Sequence, residues 1–447
     1  MAQRGRFLTG STMGHVMRMT LTGATGITFI FLVDAANLFW LSQLGDPRLM
    51  AAVGFAFAVQ FFSVSMGIGL MIGGTALVAR GIGAGRFARA RRQATAAALL
   101  AGGIMALVAL LIVVFRHELV ALAGAEGETA ALAARYLAMS IPSLPLMAVG
   151  MIANASLRAF GDGRRSMFVT LFPGLVTMVV DPLMIYGLGM GLDGAALGVD
   201  LSRLVMLSVA LRFAVGTHDL LARPRRIDLR LAVRPYLAIA LPAILTQMAT
   251  PAGNYALTRV MAPFGDDAMA GWAVVGRLTV VAFGGIFSLS GAIGGIFGQN
   301  FGAREYARLR STYRDALIFA LIYTLVAWGL LAATGGMVAR GFALGAEGAA
   351  VVRAFTTLGA GGFLFAAALF VSNAAFNAMG RPVRSTLSNW LRDGLLTLPL
   401  GLALAAGFGA AGVIYAQAMA SALVGCLACW WGWRFVLRLD RAALPGR

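Results

Sequence analysis

The sequence predicts an all-α polytopic membrane protein of about twelve transmembrane helices in two pseudo-symmetric six-helix lobes. Three observations carry this. Of 447 residues, 60% are hydrophobic and only 12% charged, with a mean hydropathy of +0.83, far from the profile of a soluble domain. Apolar runs of about 20 residues, the length an α-helix needs to cross a hydrocarbon core of about 30 Å, recur along the whole chain. Finally, two separate motifs repeat at one constant offset.

Apolar length and Gly, Pro and Arg punctuation place the spans, beginning near residues 14, 49, 93, 131, 166, 194, 235, 268, 312, 348, 384 and 411. The opening MAQRGRFLTG has Arg4 and Arg6 before the first apolar stretch and no small-residue cleavage site, so a retained first helix is expected rather than a signal peptide. Arginines then gather in alternate loops: RGIGAGRFARARR after span 2, LRAFGDGRR after span 4, ARPRRIDLRLAVR after span 6, GAREYARLR after span 8, GRPVR after span 10, and the C-terminus. The opposite loops hold Asp46, Glu118, Glu126, Glu128, Asp193, Asp266, Asp267 and Glu347. That alternation predicts a multi-pass protein of a bacterial-type inner membrane with both termini cytoplasmic. It also explains the net charge of +18 as a topology signal, so no nucleic-acid partner is expected.

RGIGAGRFARAR (80–91) matches QNFGAREYARLR (299–310), with Gly302 lying 219 residues after Gly83 (302 − 83). The same offset carries Asn154, Gly161, Arg165 and Ser166 onto Asn373, Gly380, Arg384 and Ser385. Two halves follow, an N-lobe over 1–218 and a C-lobe over 235–447, joined by a basic linker over 219–234. Six spans per half is even, so both halves enter the membrane alike and a cleft between them near the midplane is expected, the plan of an alternating-access transporter.

Intramembrane acids are the candidate chemistry. Asp34 stands in FLVDAANLFW and Asp181 in LVTMVVDPLMIYGLG, and an Asp at a helix centre costs roughly 2.5–3.5 kcal/mol on insertion scales unless compensated or used. Asn37 follows Asp34 by one turn and Thr177 precedes Asp181 by one turn, so each acid has a neutral polar neighbour on its own face. Pro182 has no amide hydrogen and frees the Met178 carbonyl. The corresponding C-half positions are Asn254 and Leu398, so the deep acids are expected in the N-terminal half alone. Such a set could bind a proton or a small cation, and a desolvated carboxylate can load and release a proton near physiological pH.

VDAANLFWLSQLG, ALVARGIGAGRFARAR, LRAFGD, DPLMIYGLGMGLDGAALG and the repeated GQNFGA together resemble the multidrug and toxic compound extrusion (MATE) family, DinF-like branch, over essentially the whole chain. The resemblance implies twelve helices in two lobes, and secondary active efflux of organic, often cationic amphipathic compounds in exchange for protons or sodium. It implies that Asp34 and Asp181 are the coupling acids. Relatives usually have Asn where this chain has Thr177, and often Thr near Val199, so a weaker sodium site and proton coupling are expected. The glutamate of the NorM-like branch is replaced in span 7, near Thr250.

Asn154, Asn254, Arg277 and Asn373 are candidates for a substrate cleft. Arg259, Arg277 and Arg392 could balance acids such as Asp200 or meet an anionic substrate group, with pairing favoured because buried charges are usually paired. Asp393 stands beside Arg392, although neighbouring residues do not face each other on a helix. Cys426 and Cys429 in LVGCLACWWG lack the partners of a metal or redox site and read as packing residues. A flippase for a lipid-linked precursor is the main competitor. An intramembrane enzyme would need clustered carboxylates or a nucleophile near a base, neither of which occurs, and a channel would need a filter. No catalytic residue, metal or cofactor is therefore expected; the partners are small organic substrates and the bilayer, and the chain is expected to be a monomer.

Overall fold

The computed structural model describes residues 5–342 and 344–442, all α-helix, short 3-10 or π-helical stretches and connecting turns. Among the described residues twelve helices are long and apolar enough to cross a membrane: spans 1 to 6 are Thr12–Ser42, Arg48–Gly83, Phe87–Val114, Gly127–Phe160, Gly163–Gly187 and Gly191–Ala214. Spans 7 to 12 are Arg226–Phe264, Asp266–Gly302, Tyr306–Gly341, Gly359–Ala378, Pro382–Phe408 and Ala410–Leu439. The expected start of span 10 near residue 348 falls instead in a separate helix, Ala346–Thr357, which stops at Leu358 before a 3-10 turn over Gly359–Gly362. Three glycines in that turn leave the α-helix weakly specified there.

Internal duplication is written into the helix ends. Span 4 breaks into a 3-10 turn at Ile141–Ser143, around Pro142, and the turn over Gly359–Gly362 falls at the same offset of 219 (360 − 141). Proline makes the break in one half and glycine in the other. After span 2 the Arg86 amide reaches back to the Gly81 carbonyl at 2.9 Å, and after span 8 the Glu305 amide reaches the Asn300 carbonyl at 2.9 Å. After span 4 Asp162 binds Leu157 at 2.9 Å, and after span 10 Arg381 binds Phe376 at 2.8 Å. All four are the six-to-one closure of a Schellman cap.

Two compact units divide the chain: Met1–Ala24, Gly83–Gly85 and Leu245–Arg447 in one, Thr25–Ile82 and Arg86–Ile244 in the other. Spans 1 and 7 thus each give residues to both units. The core of the first unit is aromatic and aliphatic, with Phe283 stacked face to face on Phe363 at 3.9 Å among Ile286, Leu289, Phe297 and Phe355. In the second unit alanines such as Ala79, Ala94, Ala153 and Ala210 surround Val78, Leu157 and Val169. Small residues let helices approach closely, which drives association where lipid supplies no hydrophobic contrast.

The GQN stretch has a structural task. Gln299 accepts the Phe7 amide at 3.0 Å, Arg308 donates to the Phe7 and Gly10 carbonyls at 2.9 and 3.1 Å, and Asn300 accepts from Arg308 at 3.2 Å. With the Phe7 ring only 2% exposed, the chain ahead of span 1 is tied to the C-terminal unit. In the other unit Asp162 of LRAFGD caps span 5, accepting the Arg165 amide at 3.0 Å while also binding the Arg165 guanidinium and His218, each at 2.7 Å. Burial pushes this carboxyl up, but the hydrogen bonds from Arg165 and His218 outweigh it and hold it below the usual carboxylate range.

Two outcomes follow from these caps. Gly85 has φ +70° with nothing within 4 Å of a built Cβ, and its repeat partner (304 − 219) is Arg304 at φ +62°. A left-handed conformation costs an L-residue about 1 kcal/mol or more, so Arg304→Gly should raise the unfolding temperature of the purified protein and Gly85→Ala should lower it. Asp162→Asn should destabilise the protein at neutral pH. Because the folded carboxyl is more acidic than its unfolded value of about 3.9, that deficit should shrink as acid unfolding is followed downward through the carboxylate range and wild type loses the same charge.

Candidate functional site

Around Asp181 three spans of one unit meet closely. Span 1 and span 5 touch at Gly174, where a Cβ would lie 2.8 Å from both Phe29 and Val33. Two turns further along span 5, Asp181 is 1% exposed and accepts a hydrogen bond from the Asn37 side-chain amide at 2.6 Å. Span 6 closes the third side. A Cβ at Gly198 would sit 2.0 Å from Asp181 Oδ1, so only glycine lets the carboxylate occupy this place.

That Oδ1 is buried and no donor among the described residues reaches it. An ionised carboxylate half-satisfied in a low-dielectric site is expensive, so the arrangement favours a proton or a cation on that oxygen. Pro182 follows directly, and the chain then widens into a π-helical turn, Leu183–Gly187, a feature common at functional sites. Tyr186 in that turn donates to the Trp40 carbonyl and its ring meets Trp40 edge-on at 6.5 Å. The far end of span 1 is thereby tied to the same turn.

Of the expected coupling residues, Asn37 and Asp181 are brought into contact. Thr177 is buried beside them, but its hydroxyl donates to the Pro173 carbonyl at 2.8 Å. Asp34 lies in span 1 one turn before Asn37; its side chain lies outside the described residues. Asn154 and Asn373 occupy equivalent places in spans 4 and 10, each 6% exposed and each with an Oδ1 that finds no donor among the described residues. Asn254 and Arg277 are exposed on spans 7 and 8, and Arg259 stacks over Tyr255 at 5.3 Å.

Two expectations are corrected. Deep acids are not confined to the N-terminal half, because Asp393 is 9% exposed within span 11. Nor do Arg392 and Asp393 point apart: the guanidinium grips both carboxylate oxygens at 2.8 Å. The rule concerns Cβ directions, and an arginine stem is long enough to fold back along a π-helical segment, here Trp390–Leu396. Asp200 stands three residues before Arg203 on span 6, and its own buried Oδ1 finds no donor among the described residues. Arg203 donates to the Ser140 carbonyl at 2.6 Å and to the Ser143 hydroxyl at 2.8 Å, filling the break in span 4. Gly198 carried no signal in the sequence, since one glycine among many marks no carboxylate.

Comparison with known proteins agrees with this architecture. The MatE family profile matches residues 24–183 and 242–403, one match in each half. An FAD transporter of Shewanella oneidensis is 28% identical over 431 residues, covering 95% of both chains. The multidrug export protein MepA of Staphylococcus aureus (strain NCTC 8325) is 24% identical over 273 residues, 59% of each chain. Among solved structures, an outward-facing multidrug resistance MATE family transporter of the MOP superfamily superposes with a TM-score of 0.90 at 21% identity, over 98% of this chain and 99% of that one. A MOP superfamily transporter from Pyrococcus furiosus gives 0.89 at 22% identity, over 98% and 99%. Two family matches spanning both halves, on a twelve-span helical chain, place this protein in the MatE family of multi-pass membrane transporters.

Proposed function

We propose that this chain exports organic compounds in exchange for protons, and that Asp181, held by Asn37, forms the coupling site together with Asp34. The observation that carries the reading is the buried Asp181 Oδ1 with no donor among the described residues. A proton satisfies that oxygen by itself. Sodium would ask for several further oxygen ligands, whereas the Thr177 hydroxyl is engaged with Pro173 and span 6 presents Gly198. Protonation removes the charge whose burial is costly, which lets spans 1 and 5 pack in a second arrangement and release substrate. Loss of the proton to the cytoplasm, where both termini lie in this reading, resets the cycle by alternating access.

Substrates in the first instance are amphipathic organic cations, by similarity to the MepA proteins. The near full-length match to an FAD transporter supports a second reading, in which flavin nucleotides or similar anions are carried.

The deciding experiment compares ethidium extrusion, and flavin nucleotide released to the medium, in cells carrying wild type, Asp34→Asn or Asp181→Asn at matched expression, with protonophore and with sodium varied. Wild-type export that collapses with protonophore, ignores sodium and disappears in both variants is the expected result. Full activity in Asp181→Asn sinks the coupling role, and sodium dependence sinks the choice of ion. Gly198→Ala should likewise abolish export at normal expression, because its methyl group displaces the carboxylate, while Gly103→Ala, with nothing within 4 Å of the added carbon, should leave export unchanged.

A further inference from the structure

The C-terminal unit repeats the ingredients of the Asp181 site with one substitution of charge. In both units the fifth span of the half carries a buried aspartate at a π-helical stretch, Asp181 just before Leu183–Gly187 and Asp393 inside Trp390–Leu396. In both, the first span of the half supplies a neutral donor to Oδ2: Asn37 at 2.6 Å and Thr250 at 3.0 Å. In both, a glycine on a neighbouring span lies against the acid, Gly198 and, 2.8 Å from Asp393 Cβ for a built methyl, Gly253. The two acids are not in sequence register, since residue 393 corresponds to Gly174 at the offset of 219 (393 − 219). Repeat alignment therefore misses the likeness.

What differs is the cation. Arg392, itself 6% exposed, places Nε on Asp393 Oδ1 and Nη2 on Oδ2, both at 2.8 Å, with the Phe370 ring 6.0 Å from its guanidinium carbon. Thr397 accepts no share of this charge; it donates to the Arg392 carbonyl at 2.7 Å and holds the π-helical segment. We infer that Asp393 is a cation site permanently loaded by the protein's own guanidinium, so that the C-terminal unit completes the transport cycle without exchanging an ion. Tethering gives Arg392 an effective concentration that a free ion does not match, and bidentate geometry makes it the better ligand. In treating Asp181 as the exchanging counterpart, this inference rests on the function proposed above.

The test removes one charge of the pair at a time and reads thermal unfolding of purified protein in detergent. Asp181→Asn serves as background, to silence the N-terminal acid. In that background Arg392→Gln should acquire a cation requirement: its unfolding temperature should rise by about 5 °C when pH is lowered or sodium chloride replaces choline chloride, as a ligand at many times its Kd would cause. Adding Asp393→Asn should abolish the response. Conversely Asp393→Asn alone leaves the guanidinium unmatched and should gain stabilisation by chloride over gluconate that wild type lacks, so either single-charge variant that folds decides the matter. No gain of ion sensitivity in the folded variants overturns the inference. Failure of the Asp181 reading is seen separately, as wild type and Asp181→Asn responding alike to pH and sodium.

Discussion

Backbone hydrogen bonding in a medium without water is the constraint on which the rest of this structure depends, because each carbonyl that leaves the helical ladder has to find a donor inside the protein. The irregular positions show how that is met. At the break in span 4 the Ser140 carbonyl accepts from Arg203, and in the π-helical part of span 11 the Arg392 carbonyl takes the Thr397 amide and hydroxyl together; Thr177 on Pro173 and Trp390 on Leu245, at 2.9 Å, add side-chain donors to carbonyls inside helices. Each of these side chains also sits beside a buried charge or a helix irregularity. Breaks in the helices therefore locate the polar chemistry, and the polar chemistry stabilises the breaks.

Close approach is the second requirement, and small residues supply it. Where Gly174 meets Phe29 and Val33, and where Gly198 meets Asp181, the space for a Cβ is already taken. The same residues that bring helices together in lipid thus shape the walls around the acid. Charge is then handled in two ways: Asp393 has its arginine partner in the neighbouring residue, whereas Asp181 has a single amide from Asn37. In the proposed cycle an acid with one unsatisfied oxygen is the one that changes state. One gripped by a tethered guanidinium keeps its state.

Much of this was legible in the residues. Twelve apolar spans, the duplication and the buried acids depend on composition and periodicity, which a single chain displays directly. The repeat even survives changes of chemistry, since Pro142 and the Gly359–Gly362 run break equivalent helices and Gly85 and Arg304 share a left-handed turn. The pairing of Arg392 with Asp393 was misread because helical face arguments follow Cβ directions and ignore the reach of a long side chain. The tie between Phe7 and Gln299 lies 292 residues apart in the chain, and no local pattern announces it.

By itself the sequence determined the class of protein, the number of crossings and the two-fold repeat, since all three are consequences of how apolar length and charge partition between lipid and water. It also singled out Asp181 as a costly carboxylate, though not the buried Asp393. Tertiary structure decided which of them are compensated. Whether Asp181 meets Asn37, whether Thr177 turns to the acid or to its own helix, and whether a glycine on span 6 stands against a carboxylate are matters of contact distances between separate helices, and a one-dimensional spacing does not contain them.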